Sequence, residues 1–154
     1  MKQTVLGIIL LSTVAVACGR ESGDANAYIT EIIPVLTAQA GMANDFSLRF
    51  ESAENGRSVV TIFSQYMASN QVLGKLAATI QDRYKAVSRE AFMSAYSNRH
   101  AEMTNVETRS EQANMRLQVA FFSNRHRDSQ EVRGLISDLS NQAAARFQDQ
   151  GDSR

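Results

Sequence analysis

Five apolar side chains, Val59, Tyr66, Leu73, Ile80 and Val87, fall seven residues apart. A seven-residue repeat held over five positions marks helices packed along a common seam, because two turns of α-helix return the chain to nearly the same face. Ile62, Phe63, Leu76, Ala77, Tyr84 and Ala91 fill the intervening positions and widen the stripe. No proline follows Pro34 and no glycine lies between Gly74 and Gly134, so local chemistry offers no strong helix breaker there. The pattern predicts one helix over residues 58–105, roughly 70 Å long.

A second stripe precedes it. Tyr28, Ile32, Leu36, Ala43, Phe46, Phe50 and Ala53 are mostly three, four or seven apart, which predicts an amphipathic helix over residues 25–53 with Asp24 as N-cap. Pro34 and Gly41 lie inside it and should kink or split it, and Glu54, Asn55, Gly56 and Arg57 form a turn. Polar residues crowd 104–114, where a second reversal is expected. A third stripe then runs through Ala113, Leu117, Phe121, Val132, Leu135, Ile136, Leu139, Ala143 and Phe147. A competing α+β reading rests on the alternation of Phe46, Leu48 and Phe50 and of Met115, Leu117, Val119 and Phe121, on Val59 to Phe63, and on the Asn55-Gly56 pair. Helices are preferred, since the same residues belong to stripes that continue past each alternating fragment. The expected fold is all-α: an elongated antiparallel bundle or helical hairpin of three long helices with a coiled-coil-like seam. With 154 residues, 44% of them apolar, one modest domain is expected, placed at 27–149 and followed by a disordered tail at 150–154.

The N-terminus carries a different pattern. Lys2 is followed by an uncharged apolar run from Val5 to Ala17, too short to span a bilayer comfortably, with small residues at Ala15 and Ala17 immediately before Cys18. Ala-Val-Ala-Cys, with Ala15 where leucine is usual, resembles the lipobox of bacterial lipoprotein precursors. The resemblance covers residues 1–18 alone. It implies that residues 1–17 are a signal peptide cleaved between Ala17 and Cys18, and that Cys18 carries a thioether-linked diacylglycerol and an N-acyl chain. Cys18 is the sole cysteine, and lipidation would account for it. Residues 19–26 read as a flexible polar tether. By analogy with enterobacterial lipoproteins, Gly19 in place of aspartate favours the periplasmic face of the outer membrane over that of the inner membrane.

Equal numbers of basic and acidic residues, 16 each, and the absence of a basic block leave no electrostatic footprint for nucleic acid. Ser-Asn-Arg-His occurs twice, at Ser97 to His100 and Ser123 to His126, and contains both histidines of the chain. A reversal near Ala113 would set His100 opposite His126, with Glu102 and Asp128 nearby, as a candidate metal or pH-sensitive pair, since imidazole ligates zinc and titrates near neutrality. The plainer reading has each histidine stacked on the aromatic four residues earlier, Tyr96 or Phe122. There is no metalloprotease spacing, glycine-rich phosphate loop or recognisable nucleophile arrangement, so neither catalysis nor a cofactor is expected. Arginines outnumber lysines thirteen to three. Arg83, Arg89, Arg99, Arg116, Arg125, Arg127 and Arg133 fall on the later helices, where they either pair with neighbouring acids or face a partner. The function expected is that of a lipid-anchored envelope protein whose helical domain serves as an adaptor, assembly factor or exclusion or immunity protein, meeting another envelope protein or a second copy of itself. The alternative is a small-ligand, metal or pH sensor using His100 and His126.

Overall fold

The computed structural model describes residues 24–151, and these form five helices: α1 (Ala25–Glu51), α2 (Gly56–Arg83), α3 (Arg89–Asn98), α4 (His100–Phe122) and α5 (Gln130–Gly151). The chain is all-helical over the described residues, and the strand reading of residues 46–63 and 115–121 is not realised. The signal-peptide segment, Cys18 and the first part of the tether lie outside the described residues. The tether's last two residues, Ala25 and Asn26, are already helical. At the other end α5 continues to Gly151, so the expected tail boundary at 150 falls inside a helix.

α1 begins where a carboxylate satisfies its free amides: Asp24 Oδ1 accepts from Asn26 N and Ala27 N, both at 3.0 Å. Its 27 residues then run unbroken through Pro34 and Gly41. Both sit on the exposed side, where a missing backbone bond or side chain removes nothing from the core. The turn at residues 52–55 follows, and Asn55 caps α2 by accepting from Ser58 N at 2.9 Å.

Five helices replace the expected three, and the expected 70 Å second helix is broken twice, into α2, α3 and the first turn of α4. α2 ends at Arg83, and the chain turns through Tyr84 to Ser88, where the Ser88 hydroxyl accepts from Ala91 N at 3.1 Å and starts α3. Val87 stays buried inside this turn, in the same core cluster as Tyr28, Ile80 and Ala95, so the seven-residue spacing from Ile80 persists across a break in the helix. One non-helical residue, Arg99, separates α3 from α4. The reversal expected at 104–114 is absent, because α4 continues straight through that stretch. Its inward face there is built from Ser110 and Ala113, small groups that read as polar or neutral in a hydropathy pattern but fit a close helix contact, with Met103 and Leu117 on either side. The second reversal instead lies between α2 and α4, at residues 84–99, and a third at 123–129 falls inside the expected third helix.

α1 is the common element. It packs most extensively on α4, then on α2 and α3, while α5 rests on α2. α1 and α2 are antiparallel, α4 runs parallel to α1, and the buried residues form two clusters at the two ends of α1. The cluster at the N-terminal end joins Tyr28, Ile29 and Ile32 to Ile80, Val87, Ala95 and Met103, with the Tyr28 ring edge-on to Tyr84 and Phe92 at 5.8 and 5.9 Å. The cluster at the C-terminal end joins Ala43, Phe46 and Phe50 to Val59, Phe63, Leu117, Phe121 and Val132. Phe121 meets Phe50 and Phe63, each at 5.3 Å. Among the described residues no helix is long and apolar enough to cross a membrane.

Two glycines set the local tolerances. A Cβ on Gly56 would lie 2.0 Å from Ser129 Oγ and 2.7 Å from its Cβ, because the starts of α2 and α5 touch there, whereas a Cβ on Gly74 meets nothing within 4 Å. Gly74→Ala is therefore expected to raise stability by about 0.5–1 kcal/mol and Gly56→Ala to lower it, as read from urea unfolding midpoints. Burial holds the Tyr66 phenol above its usual value of 10.0. A folded-state pKa above the unfolded one gives stability that is complete below pH 10 and lost as pH rises through the folded value. Tyr66→Phe should accordingly show a shallower loss of stability with pH in alkaline unfolding titrations than the wild type.

Candidate functional site

The two copies of Ser-Asn-Arg-His occupy the two ends of α4, the first sending its arginine to α1 and the second to the turn just past the C-terminus of α1. At the first, Arg99 donates to Thr30 Oγ1 at 2.7 Å and is held by Glu102, Nη2 to Oε2 at 2.7 Å. At the second, Arg125 Nη2 donates to the Ala53 carbonyl at 3.1 Å, and buried Asn124 donates through Nδ2 to the Phe50 carbonyl while its Oδ1 accepts from His126 N at 2.9 Å. The second copy thus adds a donor to the Phe50 carbonyl in the last turn of α1, which also accepts from Ala53 N at 3.2 Å, and one to the Ala53 carbonyl in the turn just beyond. The repeated residues clasp the two ends of one helix to the two ends of another.

This arrangement separates the histidines. With α4 intact through Ala113, His100 and His126 stand at its opposite ends, roughly 35 Å apart by helix rise, and the facing pair expected from a reversal near Ala113 does not form. His100 lies beside Tyr96, ring centroids 5.8 Å apart, and Thr104 Oγ1 approaches its Nδ1 at 3.5 Å. His126 Nε2 accepts from Arg125 Nε at 3.1 Å. Among the described residues no group of three His, Cys, Asp or Glu side chains gathers as a metal site. The Tyr96 hydroxyl donates to Glu107 Oε2 at 2.9 Å, and this bond to a carboxylate raises the phenol's pKa.

A different feature has the form of a binding site. α1 and α4 lie so close along Ala40, Ala43, Ser47, Ser110 and Ala113 that a groove of about 370 Å³ opens beside their contact. Its floor is small, Ala40, Gly41 and Ala113, and its rim carries Asn44, Arg109 and Arg116. A Cβ on Gly41 would meet nothing within 4 Å, so that glycine leaves the floor open. The lining holds two positive charges and no negative one. Asp45, Glu107 and Glu111 each stand one residue from a lining position but do not line the groove. Arg109 has Asn105, Val106, Gln112 and Ala113 at helical neighbour positions, and Arg116 has Gln112, Ala113, Val119 and Ala120; neither set contains an acid. Among the described residues, neither arginine makes an ion pair, in contrast to Arg83 with Glu31 and Arg99 with Glu102. The sequence pattern singled out Arg116 among many and passed over Arg109. The missing acid three or four residues away is a weak signal, since Arg83 and Arg133 share it and Arg83 finds Glu31 on another helix. Comparison of the chain with protein-family models, curated proteins and solved structures gave no match, and the reading of this site rests on its geometry.

Asn124→Ala removes the buried amide that serves the Phe50 carbonyl and should cost about 1–3 kcal/mol in chemical unfolding. Asn98→Ala, at the exposed equivalent in the first copy, should stay within about 0.5 kcal/mol of wild type.

Proposed function

We propose that the chain is a bacterial lipoprotein, held through acylated Cys18 on the periplasmic face of the outer membrane, whose helical bundle acts as a non-catalytic adaptor, assembly factor or exclusion or immunity protein of the cell envelope. The observation that carries this reading is the apolar run Val5 to Ala17 ending in Ala-Val-Ala directly before the sole cysteine. The place where the bundle starts supports it. Asp24 caps α1 only six residues after Cys18, a span of at most about 20 Å, so a bundle anchored this way stands against the membrane surface. Several acyl chains acting together, each buried methylene contributing about 0.8 kcal/mol, would make attachment effectively permanent. A permanently tethered bundle with an open, charged groove is suited to meeting another envelope component rather than to turning over a diffusible substrate.

The test is fractionation of a Gram-negative host expressing the full chain or Cys18→Ser, together with metabolic labelling by a clickable fatty acid. The wild type should be labelled and sediment with outer membranes, and the variant should be unlabelled and lose that fraction. Equal labelling of both, or a wild type found wholly in the soluble fraction, overturns the anchor.

A further inference from the structure

We propose that the groove between α1 and α4 is the docking site for an acidic amphipathic helix of a partner protein, with two of its carboxylates received by Arg109 and Arg116. This rests on the reading of the chain as an interaction protein and names the chemistry of what it meets.

Arg109 and Arg116 are two helical turns apart, about 10.5 Å along α4. A helix laid along the groove presents carboxylates at that same interval from residues seven apart, and the planar guanidinium fork suits a carboxylate in a partly enclosed site. The small floor at Ala40, Gly41 and Ala113 admits a close approach. The groove also leads to an apolar surface. On α1 the positions Gly41 and Asn44 continue to Leu48, and on α4 Gln112 and Arg116 continue to Val119, each series following one helical stripe. Leu48 is 64% exposed and Val119 61%, with Met115 beside the latter at 62%, which leaves uncovered apolar surface in line with the charged section. A partner helix matching this face carries acids along one section and an aliphatic residue beyond them. A second copy of the chain docking groove to groove would set the four arginines against one another, so symmetric pairing through this face is disfavoured by like charge.

The first test is calorimetric titration of the purified full chain with a synthetic alanine-based helix carrying two glutamates seven residues apart and a leucine beyond them. The same peptide with glutamines serves as control. The acidic peptide should bind and the glutamine peptide should bind at least about tenfold more weakly. Arg109→Glu combined with Arg116→Glu should abolish the difference. Gly41→Gln should block binding while raising the melting temperature, because a side chain there enters the groove and improves helix propensity. Equal binding of the two peptides, or undiminished binding by a correctly folded Gly41→Gln, overturns the proposal. Binding to phosphatidylglycerol vesicles, lost in the double arginine variant while the acidic peptide fails to bind, also overturns it and assigns the arginines to an anionic lipid surface.

A photo-crosslinking residue in the lipidated protein in cells separates this proposal from the reading beneath it. Capture from position 112 that disappears in the double arginine variant supports the groove. Capture from exposed position 61 on α2 with none from 112 overturns the groove and leaves the interaction reading standing, and no capture from either position overturns both.

Discussion

The middle of the contact between α1 and α4 is made of alanine and serine, and the remaining architecture depends on it. Ala40, Ala43 and Ser47 are buried on one helix and Ser110 and Ala113 on the other. Side chains this small lose almost no rotamer freedom on burial and let helix backbones approach until dispersion forces act between the main chains themselves. Such a seam contributes little apolar area, so the area comes from its two ends. Tyr28 and Phe92 close one end, Phe50, Phe63 and Phe121 the other. The close middle brings both aromatic ends into register, and α2 and α5 then cover the flank that the first pair leaves open.

The same middle section explains what was legible in the sequence. Large apolar residues at helical intervals identified α1, its Asp24 cap, the turn before α2 and the inward face of α2 through Val59, Tyr66 and Ile80. The breaks at 84–88, at Arg99 and at 123–129 were harder to see because none contains glycine or proline. Val87 keeps the heptad phase while sitting in a turn, so the pattern of buried groups continued where the helix did not, and the Ser88 cap was the available cue. The stretch 104–114 looked like a loop because the inward residues of α4 are serine and alanine, whose burial reflects the helix they face rather than their own hydropathy. The groove was less legible still. It exists only because two segments some seventy residues apart meet, and nothing local to Arg109 or Arg116 marks them as facing the same groove.

Ser-Asn-Arg-His is a lesson in how a repeated motif acquires meaning from position. As a string it invites a metal-site reading, since it holds both histidines. In the folded chain its arginines do the connecting, one to a threonine hydroxyl of α1 and one to a backbone carbonyl of the turn just after it, and Asn124 alone of the two asparagines is buried. The clasps lie at the ends of the groove-forming pair and fix the relative placement of α1 and α4, on which the spacing between Arg109, Arg116 and the floor at Gly41 depends.

Parallel packing of the first helix on the fourth also sets an order of events. A chain made from its N-terminus produces α1 and α2 well before α4, and the antiparallel hairpin of those two is a local structure that closes quickly. One flank of α1, including Ala43 and Phe50, has no cover until residues 113–121 arrive, about seventy positions later. For that interval the nascent hairpin displays an apolar strip on its most central helix, and any factor that shields the young chain has its natural foothold there, on the surface that the finished protein hides.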